Sequence, residues 1–175
     1  MKLPILAVIS IGLLVFITGC QTPLDLATHR SQMARIVNVP EQSVSFISNC
    51  GFLFGAPQQS YWTGEREELR LGMVVLTDKE VILVPGTIDK PSPYEAIHLS
   101  LRDIHGVQVA HFGRNRQVQL SQVYRRVIIQ IMDKPQNCDG LASVLVSKGI
   151  PKTAGAKWYF PQEHNDTIYV PVYVR

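Results

Sequence analysis

Apolar and polar residues along this chain fall into three textures. Met1-Lys2 supplies one positive charge, and Leu3 to Thr18 then holds no charged residue and is apolar on every helical face. Such a run suits the h-region of a secretory leader and is shorter than the roughly 20 residues a spanning helix needs. Next comes an amphipathic stretch. Leu26, Met33, Ile36 and Val37 recur at an approximate helical period, Thr22-Pro23 offers a cap with proline at N1, and Pro40 prevents continuation. A helix over Pro23–Ile36 is expected.

From Val44 onward the period shortens to two. Val44, Phe46 and Ser48 alternate with Ser45, Ile47 and Asn49 toward Cys50, which predicts a strand. The apolar cluster Gly51-Phe52-Leu53-Phe54-Gly55-Ala56-Pro57 lies between breakers and is expected to pack on the core beside a disulfide, with a membrane-dipping or partner-binding loop as the alternative. Glu65 to Arg70 reads as a solvated charged approach to the next strand. The strongest hairpin signal pairs Gly72–Thr77 with Glu80–Val84 around Asp78-Lys79, ending at Pro85-Gly86. Pro91 and Pro93 exclude regular pairing in the following loop. Ile97, Leu99 and Leu101 alternate, the phase shifts around Asp103 to Gly106, and Val107 and Val109 resume it. Gly113-Arg114-Asn115 supplies a turn before Val118 and Leu120. Val127, Ile129 and Ile131 read as a further stretch of that strand beyond a bulge near Ser121 to Tyr124.

Leu141, Val144, Leu145 and Lys148 fall at helical spacing between Asp139 as N-cap and Gly149 as C′ residue. β-Branched Val144 and Val146 keep a strand open as the alternative. Lys157–Phe160 and Thr167–Val174 predict a final hairpin, with Pro171 confining the last strand to an edge or bulge. The fold class expected is α+β, mainly β: an antiparallel meander or small barrel or sandwich, with an N-terminal helix and a short C-terminal helix.

Leu76-Thr77-Asp78-Lys79, the apolar return strand, and Ile97-His98-Leu99-Ser100-Leu101-Arg102-Asp103-Ile104-His105-Gly106-Val107 together resemble the central meander of pleckstrin-homology or GRAM-type domains. The resemblance covers about 60 residues. It implies two curved sheets closed by one C-terminal helix and a binding scaffold, and it carries over no site residue.

Ile17-Thr18-Gly19-Cys20, closing the apolar leader, resembles the lipobox of bacterial lipoprotein precursors. That resemblance implies removal of residues 1–19, a diacylglycerol thioether on Cys20, and residues 20–26 as a short tether for a single globular domain over 27–175. Gln21 stands where an Asp would mark inner-membrane retention, so the outer membrane, facing the periplasm, is the expected location in a Gram-negative cell. More than one acyl chain gives stable anchoring. The formal net charge of +3 includes Lys2 of the leader, and the nearly neutral remainder argues against a nucleic-acid partner.

With Cys20 acylated in an envelope compartment, Cys50 and Cys138 are expected to form a disulfide, two separate thiols being the alternative. The bridge would be worth roughly 4–5 kcal/mol by chain entropy. No Gly-x-Ser-x-Gly elbow or H-E-x-x-H pattern is present, so no catalytic residue, metal ligand or cofactor is expected. His98, His105 and His111 could converge on neighbouring strands, though isolated histidines are the better expectation. Arg114, Arg116, Arg125 and Arg126 make a candidate anion-binding group, together with Arg102, in a span whose one acid is Asp103. A solvated face that uses charge against edge pairing is the alternative. The expected role is a non-catalytic binding or assembly function of a lipid-anchored envelope protein, its partner another envelope protein or lipid head groups. The alternative is a pleckstrin-homology-like lipid- or ligand-binding module, and an envelope hydrolase comes third.

Overall fold

The computed structural model describes residues 23–55, 69–112, 115–134 and 136–154. Its elements in order are helix α1 (Leu26–Ile36), strands β1 (Phe46–Gly55), β2 (Arg70–Leu76), β3 (Glu80–Thr87), β4 (Lys90–Pro91), β5 (Ile97–Ser100), β6 (Gly106–Phe112), β7 (Asn115–Ser121) and β8 (Arg126–Ile131), and helix α2 (Gln136–Ser147). The strands pair antiparallel in the order β4-β3-β2-β1-β8-β7-β6, with β5 on the first half of β3. The chain is therefore α+β and mainly β, in one open sheet.

Both faces of β2 and β3 are covered, which explains their unbroken apolar runs. Val74, Leu76, Val81 and Leu83 face an inner core with Cys50, Phe52, Leu99, Val107, Val118, Leu120, Val127 and Ile129. Residues from the two ends of the sheet meet in this cluster, so the sheet curls around it, and Cys138, Leu141 and Leu145 of α2 close it. Met73, Val75, Ile82 and Val84 point the other way, onto Met33 and Ala34 of α1 and its C-cap Val37. A strand buried on both sides reads as continuous hydrophobics and not as an alternation. Each such aliphatic contributes about 1.5–3 kcal/mol by burial. The pleckstrin-homology resemblance implies two curved sheets; the described residues form one open, curled sheet instead, with α2 packed on its inner core.

Both helices end in Schellman motifs. The Val39 amide donates to the Ala34 carbonyl across Asn38 at φ 53°, and the Ile150 amide donates to the Leu145 carbonyl across Gly149 at φ 92°. The α1 start differs from the sequence expectation. Asp25 is the N-cap, its carboxylate accepting from the Thr28 amide at 3.1 Å, so the helix begins after Pro23, while buried Leu24 already packs under α1.

Several other expectations are corrected. Phe52 and Leu53 of the Gly51–Gly55 cluster pack on the core as expected, and the segment is the second half of β1, which overturns the loop alternative. Gly51 reads as a breaker but is needed inside the strand, because a Cβ there would meet the Leu69 side chain at 2.7 Å. Strand β3 continues through Pro85-Gly86 to Thr87, with Gly86 opposite Pro91 of the two-residue β4. Residues 115–121 and 126–131 are two strands joined by a turn at Gln122–Arg125, closed by the Gln122 amide on the Arg125 carbonyl at 2.9 Å, not one bulged strand. Helix α2 starts three residues before Asp139, and its buried stripe is Cys138, Leu141, Ala142 and Leu145, which settles residues 141–146 as helix.

Among the described residues no helix is long and apolar enough to cross a membrane. The leader, Cys20, Arg114, most of the charged stretch before Arg70 and the expected C-terminal hairpin lie outside the described residues.

Candidate functional site

Cys50 and Cys138 are free thiols, both buried, which corrects the expected disulfide. The geometry of β8 supplies the reason. The β7–β8 ladder runs from Ser121↔Arg126 to Val118↔Ile129 and stops two positions short of Arg116 and Ile131. Cys138 fills that fork: its Sγ donates to the Arg116 carbonyl at 3.4 Å, and the Ile131 amide is directed at the same sulfur. Cys50 lies on the other side of β8, as the cross-strand partner of Ile131 on β1. Each thiol thus has its own place, and Cys138 substitutes for one missing ladder hydrogen bond, that from the Ile131 amide to the Arg116 carbonyl.

Neither sulfur is poised as a nucleophile. Burial first, then the Asp133 carboxylate, then Cys138 push the Cys50 thiol far above the ordinary range. Burial also raises Cys138, against the smaller opposing pulls of the Ile131 amide and the Arg116 guanidinium. Desolvation that favours the neutral thiol removes the thiolate that nucleophilic chemistry requires.

Asp133, just beyond β8, was not singled out by sequence reasoning. Its Oδ2 accepts from Ser48 Oγ at 2.7 Å and from the Asn49 amide at 2.8 Å, while Oδ1 accepts from Asn49 Nδ2 at 2.8 Å. The Met132 amide donates to the Asn49 carbonyl at 2.9 Å. This carboxylate ties the exit of β8 to β1 and sets the path into α2. A lone acid after an apolar strand carries no sequence signal for that role.

The arginines do not form one group. Arg116 opens β7 and pairs with Asp139 in the first turn of α2. Arg125, in the β7–β8 turn, and Arg126, at the start of β8, lie beside the other end of β7, on the order of 15–20 Å away at 3.3 Å per residue. Arg126 Nη1 donates to Gln119 Oε1 at 3.3 Å. Arg125 lies over the Phe54 ring at 4.7 Å and its Nε donates to Gln122 Oε1 at 2.8 Å. Arg102 is exposed on the short turn after β5. The histidines stay apart as well. His98 pairs with Glu80 at 2.9 Å, and among the described residues no group of three His, Cys, Asp or Glu side chains could hold a metal ion.

What the fold does assemble is a groove of about 310 Å³ between the β7–β8 turn and the segment entering β6. Asp103 and His105 line one side, and Gln122, Val123, Tyr124 and Arg125 the other. The His105 amide donates to the Ser121 carbonyl at 2.8 Å, which fixes the two sides against each other. At the rim Val123 is 60% exposed and Tyr124 89%. An apolar pair between Gln122 and Arg125 was the sequence signal for this turn. Reading the segment as a bulge inside one strand concealed it.

The sequence matches no protein-family model and no curated protein. Solved structures with a similar course of chain include the Spt16D Pob3N heterodimer, at 13% identity and a TM-score of 0.39, covering 68% of this chain and 62% of that one. The hSac2 domain from human phosphoinositide phosphatase Sac2 is 13% identical at a TM-score of 0.42, covering 78% of this chain and 97% of that one. The DH/PH domains of p115-RhoGEF are 10% identical at a TM-score of 0.40, covering 74% of this chain and 39% of that one. At TM-scores below 0.5 these likenesses assign no function.

Proposed function

We propose that this chain is a non-catalytic binding module of pleckstrin-homology-like shape, held at a membrane surface by an acylated Cys20, and that it meets a protein partner through the β7–β8 turn. The observation that carries the reading is the groove, with Val123 and Tyr124 exposed at its rim. Bare apolar side chains beside a concave slot mark a contact surface. A phosphate-binding role draws less support, since Arg116 is engaged by Asp139 and lies a strand length from Arg125. The buried, protonated thiols support a non-catalytic role as far as cysteine chemistry is concerned. The envelope setting rests on Ile17-Thr18-Gly19-Cys20, and Gln21 favours the outer membrane of a Gram-negative cell.

The test is a photo-crosslinking side chain at position 124 in intact cells, with exposed Ala27 as the control position and liposome sedimentation of the purified protein in parallel. A protein adduct confined to position 124 is expected. No adduct, together with liposome binding that Arg125→Ala abolishes, would replace this reading with the lipid-binding module. The anchor is tested by Cys20→Ala. Normal processing and membrane retention of that variant through a high-salt wash would remove the lipoprotein part.

A further inference from the structure

Resting on that reading, we infer that the groove beside the β7–β8 turn takes a polypeptide segment of mixed charge: an extended stretch presenting a carboxylate to Arg125, a cation to Asp103, and an apolar side chain to Val123 and Tyr124. Asp103 and Arg125 line the same groove from opposite sides. They are not an ion pair with each other, and among the described residues no other acid or base within ion-pair distance neutralises either one. Most surface charges on a small domain are solvated without consequence. These two differ because they flank one concave slot with an apolar rim, so a ligand entering it meets a positive and a negative wall at once.

Arg125 is also held in place. Its guanidinium is stacked on Phe54 at 4.7 Å and its Nε is bound to Gln122 at 2.8 Å, which leaves its terminal Nη groups to receive a carboxylate. A fixed guanidinium fork favours a planar carboxylate over a point anion. Opposite it, the Asp103 carboxylate disfavours an anionic head group and favours a lysine or arginine of the partner. A bilayer surface, broad and on balance negative, meets convex basic loops; a slot with an acidic wall suits side chains that reach in. The volume of about 310 Å³ lies at the small end of ligand sites, which fits a few inserted side chains and not a folded surface.

The probe is an array of immobilised octapeptides in which one acidic, one aliphatic and one basic residue occupy every order and spacing in a Gly/Ser background. Purified full-length protein should be retained by peptides of one charge order and a narrow range of spacings. Arg125→Glu should reduce retention of those peptides about tenfold, since reversal replaces one exposed attraction by a repulsion. The double variant Asp103→Arg, Arg125→Glu should prefer the opposite charge order. Both positions are exposed, so the variants should melt with the wild type. Retention that ignores charge order, or none above the Gly/Ser background, overturns the inference. So does binding to phosphatidylethanolamine vesicles that Arg125→Glu abolishes, because a zwitterionic head group would then be the occupant. If the position-124 crosslink forms while the array shows no charge order, the binding module stands and this partner chemistry fails. If no crosslink forms, both fall.

Discussion

Replacing Cys138 with alanine tests the reading of this sulfur as part of the sheet. In the folded chain it donates to the Arg116 carbonyl at 3.4 Å and receives the Ile131 amide, at the point where β7 and β8 stop pairing. Alanine leaves both backbone groups without their partner. A buried polar group without a partner costs about 1–3 kcal/mol, and the sulfur's packing in the inner core adds on the order of 1 kcal/mol. Some relaxation at the fork reduces the sum, so about 2–4 kcal/mol of destabilisation is expected. Cys50→Ala removes a sulfur just as buried, for which no hydrogen bond is seen among the described residues. It should cost about 1 kcal/mol. Cys138→Ser keeps a donor and an acceptor in nearly the same place and should recover about 1 kcal/mol relative to alanine.

Equilibrium urea unfolding of the three variants measures these differences, provided the slope is unchanged. Hydrogen exchange at the Ile131 amide should accelerate in Cys138→Ala and stay close to wild type in Cys50→Ala. If the two alanine variants lose equal stability, or Ile131 exchange is unaltered, the sulfur is only filling space. Finding Cys50 and Cys138 joined in the unreduced, denatured protein would refute the fork geometry outright.

The thiols also set a pH dependence. Both have folded pKa values above the ordinary thiol value of 9.0, so between the unfolded and folded values the folded chain binds more protons. The stability this contributes is complete below pH 9 and is lost as pH rises above it, at up to about 1.4 kcal/mol per pH unit for each thiol. Unfolding midpoints should be flat in this respect from neutral pH to about 8.5 and then fall, and Cys50→Ala should flatten the alkaline limb. Asp133→Ala should cost about 2–4 kcal/mol, because the Ser48 hydroxyl and the Asn49 amide lose a charged acceptor. Urea unfolding checks it, and a loss below 1 kcal/mol would mean water replaces the carboxylate.

Where one residue's local preference decided the outcome, the sequence was sufficient. The β2–β3 hairpin follows from two β-branched runs around Asp78-Lys79, and the α2 terminus follows from Gly149. Where a neighbour from elsewhere in the chain decided, it was not. Gly51 reads as a breaker until Leu69 lies against the strand. Cys50 and Cys138 read as partners until the Cys138 sulfur is taken up by the Arg116 carbonyl at the β7–β8 fork. The five arginines look clustered along the chain, yet the length of β7 separates Arg116 from Arg125 and Arg126 in the turn and at the start of β8, because a strand converts closeness in sequence into distance in space. The groove needed both the turn at Gln122–Arg125 and the register that places His105 beside Ser121. Neither is written in the local pattern of apolar positions.

The same register makes Phe54 a test of how the groove works. Phe54 is on β1, whose next residue, Gly55, is the cross-strand partner of Arg126. Its ring meets Phe52 edge-on at 6.4 Å, and Phe52 is fully buried in the inner core. The core thus orients Phe54, and Phe54 orients Arg125. Holding an arginine before binding spares up to about 2 kcal/mol of side-chain entropy on complex formation. Phe54→Leu keeps an apolar side chain of somewhat smaller volume and loses the ring face; at a half-buried position it should leave unfolding stability within about 1.5 kcal/mol of wild type. Octapeptide retention should weaken about threefold, although every charge in the groove is still present. Retention equal to wild type would mean that Arg125 needs no platform. Loss as complete as in Arg125→Glu would mean that the ring itself contacts the ligand.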